Sequence, residues 1–152
     1  MWRLLRAGLL TGVTDAIFSS VLAAFVYGST VTRLWQGVAS VLLGAPALDG
    51  GLRTTAIGLL MHFGVAFGWS AVFLALVLAS SWLRGVLASP LGVVAVASVY
   101  GPLIWMTMSL VLIPLFSHRP PAINVRWWVQ FFGHIPFVAL PIVAIVRSSR
   151  LP

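Results

Sequence analysis

Residues 54–83, TTAIGLLMHFGVAFGWSAVFLALVLASSWL, separate Arg53 from Arg84 without one charged side chain. A helix needs about 20 mainly apolar residues to cross a ~30 Å hydrocarbon core. This stretch exceeds that, and its one titratable group is His62. The same reading works outward. Residues 85–118 and 127–146 carry no charge, and residues 7–32 carry one, Asp15. Each interval predicts one span, at about 5–27, 55–80, 90–114 and 128–146. Ser89 as N-cap before Pro90 marks the start of the third.

Between the first two spans lies a shorter apolar run, 34–43, bounded by Arg33 and Gly44-Ala45-Pro46. At 1.5 Å per residue it rises only about 15–20 Å, too little to cross. It predicts a re-entrant or interfacial half-helix. The expected fold is therefore all-α, a four-helix transmembrane bundle with a short half-helix between helices 1 and 2, forming one integral membrane domain over residues 1–152.

Composition agrees. Of 152 residues, 61% are hydrophobic and 7% charged, with a net charge of +7. A soluble domain carries roughly a quarter charged residues, so this chain cannot clothe a folded surface in water. With no Cys, disulfide frameworks and thiolate metal sites are excluded. The nine cationic residues are all Arg and are scattered, unlike the dense patch of a nucleic-acid binder; no nucleic-acid partner is expected. They punctuate apolar runs as connecting loops do. All-Arg, Ala/Val-rich usage points to a GC-rich bacterial genome. Arg3 and Arg6 before an apolar run suit a signal peptide, but Asp15 in its centre argues against cleavage. With both termini on one side, five Arg (3, 6, 84, 147, 150) oppose four (33, 53, 119, 126), which leans towards cytoplasmic termini and a multi-pass cell-membrane location. Trp82, Trp127 and Trp128 are expected as interfacial anchors.

Helices bathed in lipid associate by close packing of small residues. In the first span Gly8, Gly12, Ala16, Ser20, Ala24 and Gly28 recur every four residues, beside Thr11, Asp15, Ser19 and Ala23, so smooth and polar stripes share an inward face. In the second, Gly58, His62, Ala66 and Ser70 form one stripe, and Gly64 with Gly68 a second small-residue pair expected to pack on another neighbour. Pro102, Pro136 and Pro141 should each free a carbonyl one turn back.

Asp15, His62 and His134 are ionisable groups within apolar spans, expensive there and functional candidates by default. The bland alternative is structural glue: a protonated Asp15 bonded to Thr11 or Ser19, or a neutral His62 donating to a carbonyl. Helical rise puts His62 and His134 at matching depths of about 10–12 Å below the same boundary, with Asp15 about 18 Å deep. Gln130 lies one turn above His134, and Gln36 with Ser40 belongs to the same side. A polar cavity of Asp15, Gln36, His62, Gln130 and His134 is geometrically open to the chain.

Three chemistries compete. The first is binding or passage of a proton, ion or small solute. The second is a structural or accessory role, in which small-residue faces bind another membrane protein or a second copy. The third, weaker, is a bis-histidine haem or metal site on His62 and His134; no His-x-x-x-His pair supports it, and no cofactor is expected. An intramembrane hydrolase ranks last, for no Ser sits in a nucleophile motif. No enzyme activity is indicated.

Gly12 to Asp15, Gln36 with Val38-Ala39-Ser40 and Gly44, Ala47 with Gly50-Gly51, Thr55-Ala56 with Gly58, His62-Phe63, Tyr100-Gly101, Pro114-Leu115, His134 and Pro141-Ile142 together resemble a family of small, uncharacterised bacterial inner-membrane proteins with four transmembrane helices. Val41 departs from that pattern, which has Gly there. The resemblance implies the fold and an inner-membrane location, and it marks Asp15, Gln36, His62 and His134. It implies no substrate.

Overall fold

The computed structural model describes residues 1–147. Arg150, counted above with the termini, lies outside them. Among the described residues the chain is helical, with no strand. Four helices are long and apolar enough to cross a membrane: α1 (Trp2–Val26), α3 (Gly51–Ala79), α5 (Pro90–Ser117) and α6 (Val125–Val146). Two shorter helices join them, α2 (Val31–Leu43) and α4 (Ser81–Val86).

α1, α3 and α6 begin three or four residues before their expected starts, α5 runs three residues past its expected end, and the other ends fall within a residue of expectation. The reason is where the arginines sit. Arg3, Arg6, Arg53, Arg84 and Arg126 lie within helices, and only Arg119 falls in a loop between the long ones. A helix of 22–29 residues exceeds a ~30 Å core, so its end turns carry Arg without leaving helical geometry. Charges therefore mark the end turns of the long helices and the short connecting helices, with Arg119 in a loop. Likewise α2 begins before Arg33, because the Thr30 hydroxyl accepts from Arg33 N at 3.1 Å and caps the helix. Asn124 caps α6 through Trp127 N in the same way, and Ser89 caps α5 through Gly92 N.

Proline did not end α5 at Pro114. The turn before it widens to a π register over Thr107–Leu112, and Ile113 N–H bonds back to Met108 O. A proline removes one bond, and a local change of register absorbs the loss. The helix stops three residues later, where His118 adopts a left-handed φ of 54° before Pro120-Pro121. Similar π turns occupy Leu22–Val26 and Ile135–Ala139.

α1 packs between α3 and α6, and α5 closes on α6. Gly8 and Gly12 receive the rings of Phe67 and Phe63 from α3. Gly133 receives Phe18, which also stacks on Phe137 at 4.4 Å. Pro141 has no N–H for the Phe137 carbonyl, and the Thr14 hydroxyl of α1 donates to that carbonyl at 2.6 Å. α2 lies along α3, where Gly58 admits the Trp35 backbone. Arg33 ties α2 to the following 3-10 turn, bonding Leu48 O at 2.8 Å and facing Asp49 at 3.7 Å.

Two packing expectations are corrected. Gly64 and Gly68 are exposed, and a Cβ on either meets nothing within 4 Å. They bind no neighbour within this chain. The small-residue stripe of α1 also ends early. Gly8 and Gly12 are buried and Ala16 partly so, but Ala24 and Gly28 are exposed while Ala23 is buried. The π turn at Leu22–Val26 shifts the register by a residue, so spacing four no longer follows one face.

The tight core lies towards the termini. Ala7, Phe73, Val77, Ala97, Tyr100, Ile142 and Val143 are buried together there. Towards the opposite end, α3 and α5 are bridged by α2, which packs on both. That asymmetry positions the site.

Candidate functional site

A cavity of about 280 Å³ opens among α1, α2, α3, α5 and α6, beyond the tight core. Asp15, His62, Gln130 and His134 all line it. Gln36 does not. Its Nε2 donates to Gly51 O at 3.3 Å, so it pins α2 to the start of α3. Adjacent helical residues point about 100° apart, and the cavity takes Leu34, Trp35 and Val38 instead, one face of α2.

His62 bonds through Nε2 to the Gly12 carbonyl at 2.9 Å. A carbonyl only accepts, so this nitrogen carries a proton. Nδ1 then faces Asp15 Oδ2 at 3.8 Å. A bare nitrogen lone pair set against a carboxylate is repulsive, so one proton belongs to the pair, held on His62 or on Asp15. Ser19 donates to the other carboxylate oxygen at 3.4 Å. Trp35 and Phe63 flank the imidazole at 5.0 and 5.6 Å between ring centres.

His134 has the opposite tautomer. Its Nδ1 donates to Gln130 O at 2.7 Å, one turn back, which leaves Nε2 as the acceptor. It is 7% exposed, and Trp105 stands 4.9 Å away. Gly101 holds it in place: a Cβ there would sit 2.7 Å from the His134 carbonyl oxygen. His62 commits Nε2 to the Gly12 carbonyl, which leaves only Nδ1, beside Asp15, for the bis-histidine metal expectation. Among the described residues no group of three His, Cys, Asp or Glu stands close enough to hold a metal ion.

Towards the loop end a second hollow, about 430 Å³, adjoins the cavity. Its walls include Tyr27, Ser109, Arg119 and Arg126, and it shares Trp105, Ile113 and Gln130 with the cavity. Trp127 is buried at its edge and donates from Nε1 to Ser109 Oγ at 2.9 Å, so it is a structural wall and not a lipid-facing anchor. Trp128 and Trp82 are exposed. A third hollow, about 480 Å³ and almost wholly apolar, runs between α3 and α5 under α2, lined by Met61, Gly68, Val72 and Phe116 among others.

Sequence reading missed Trp35, Trp69, Trp105, Met108 and Ile113 as lining residues. They are apolar residues in apolar helices, with no local signal to separate wall from lipid face.

By fold the chain falls in the class of multi-pass helical membrane proteins with four candidate spanning helices. No family model, curated protein or solved structure matches it.

Proposed function

We propose that the protein binds a small polar solute or proton in this intramembrane cavity and exchanges it with the loop end, with Asp15 and His62 as the proton-holding pair and His134 as the opposing acceptor. The observation that carries the reading is the convergence of these three groups, from α1, α3 and α6, on one cavity. Ionisable side chains are costly in apolar surroundings and tend to mark solute or proton routes. The core around Tyr100 and Ile142 blocks the termini end, which favours binding over an open channel. Passage through to the termini requires that core to part.

We place the protein in a bacterial inner membrane with both termini cytoplasmic, in keeping with its arginine distribution and the family resemblance. The cavity then faces away from the cytoplasm. α2 lies at that interface, with Arg33 outward and Trp35 over the cavity.

Reconstitution into vesicles holding a pH-sensitive dye tests the reading. Imposed proton gradients, with and without candidate solutes, should collapse faster than in empty vesicles. Asp15→Asn and His62→Ala should abolish the difference. Unchanged rates in both variants would remove these residues from the function.

A second reading, an accessory subunit, is favoured by one observation. Gly64, Gly68, Ala71 and Ala75 form an exposed small-residue face on α3, the kind that admits another helix. Mild-detergent purification with mass spectrometry decides it. A second membrane protein, or a second copy, that dissociates on Gly68→Leu supports the subunit reading, and a monodisperse lone chain opposes it.

A further inference from the structure

The three hollows meet at one residue. Ile113 lines the cavity, the loop-end hollow and the apolar groove. Trp69, Val65 and Met108 also separate cavity from groove, and Val41 separates groove from loop-end hollow. Their chemistries differ in a directional way.

The loop-end hollow is rich in donors. Arg119 and Arg126 stand at it, and no carboxylate lines it. The chain's two acids are elsewhere, Asp49 against Arg33 and Asp15 against His62. Arg126 stacks over the Tyr27 ring at 4.5 Å, which fixes its guanidinium at the rim. The Tyr27 hydroxyl and Trp105 Nε1 are buried without a protein acceptor, and both residues line this hollow. Buried donors are rarely left unmade, so each calls for a partner. The Ser109 oxygen already accepts from Trp127, so its own proton is available too. Two guanidinium groups at a hollow without a carboxylate suit an oxyanion. The adjoining groove offers almost no polar surface and lies between α3 and α5, where an apolar chain enters sideways.

We infer that the ligand is an anionic amphiphile, with a phosphate or carboxylate headgroup held between Arg119 and Arg126 and its hydrocarbon chain lying in the groove between α3 and α5. The junction at Ile113 sets the headgroup linkage against the mouth of the Asp15–His62–His134 cavity. A guanidinium presents paired N–H donors in a fork that matches a phosphate or carboxylate. The inference rests on the cavity being a proton-holding site open to the loop end, and it names the lipid that sits at its mouth.

Native mass spectrometry of the detergent-purified chain tests it, using phosphatidic acid, phosphatidylglycerol, phosphatidylcholine and glycerol phosphate as probes. The two anionic lipids should be retained at least tenfold better than phosphatidylcholine. Arg119→Gln with Arg126→Gln should erase that preference; both side chains are exposed, so the fold should survive. Ile113→Trp, filling the junction, should weaken lipid retention with the arginines intact. Equal retention of anionic and zwitterionic lipid, or a preference that persists in the double Gln variant, overturns the inference. So does glycerol phosphate competing as well as the lipids, because the groove then contributes nothing. Proton exchange measured in pure phosphatidylcholine vesicles reads the Asp15–His62 pair with no anionic lipid present. Failure of the lipid site and failure of the proton-holding pair are thus read separately.

Discussion

Asp15 Oδ2 and His62 Nδ1 face each other at 3.8 Å while the far nitrogen of His62 is committed to the Gly12 carbonyl. The carbonyl fixes the tautomer, and the carboxylate then demands a shared proton. In Asp15→Asn the amide donates to Nδ1 and no proton is shared. With 15N-labelled histidine, the His62 Nδ1 resonance at a single pH should move on Asp15→Asn, while Nε2 stays that of a protonated nitrogen bonded to the Gly12 carbonyl. A His62 Nδ1 resonance unaltered by the change would show that Asp15 is not its partner. His62→Ala should cost about 1 kcal/mol of stability, the size of one interhelical bond.

Thr14 and Pro141 are coupled through a carbonyl neither of them owns. Pro141 leaves Phe137 O without its helical donor, and Thr14 supplies one from α1. Thr14→Val should cost about 1–2 kcal/mol in mixed-micelle unfolding, and Thr14→Ser much less. Pro141→Ala restores the N–H, so Thr14→Val should cost less in that background. A double-mutant cycle measures the coupling. Additive effects would show that the hydroxyl acts on something else.

The long helices were legible because a charge-free interval of sufficient length has few other meanings. Asp15, His62, Gln130 and His134 were legible for the same reason in reverse: a polar group in such an interval stands out. Gln36 shows the limit. It is polar and near the site, yet the α2 face that reaches the cavity carries Trp35. A spanning helix that is apolar on all sides has no preferred face in its hydrophobicity. Which face turns inwards is decided by shape, as where Gly101 admits the His134 backbone and Gly133 admits Phe18. Shape depends on the partner, which one helix's sequence does not contain. Gly64 and Gly68 looked as smooth as Gly58, but only Gly58 has α2 against it.

That contrast is measurable. Gly58→Ala pushes a methyl into the Trp35 carbonyl, backbone that cannot rotate away, and should destabilise by about 1–3 kcal/mol, as overpacking does. Gly64→Ala and Gly68→Ala meet open space and should stabilise by roughly 0.5–1 kcal/mol through helix propensity. Equivalent losses at all three positions would mean that the outer face of α3 is already occupied, as the accessory-subunit reading requires.

Tyr100 joins the cavity to the block beneath it. Its hydroxyl donates to Trp69 O at 2.7 Å, and its ring lies 4.8 Å from Phe73 in the core. Trp69 is a cavity wall and Tyr100 belongs to the core, so this bond ties α3 to α5 where passage to the termini is closed. Tyr100→Phe keeps the ring and removes the tie. Stability should fall by about 1 kcal/mol. If exchange through the protein requires α3 and α5 to part here, proton flux in vesicles should rise in this variant, while solute affinity measured from the loop end stays the same. A variant that loses stability without any gain in flux would show that no route passes between Trp69 and Tyr100.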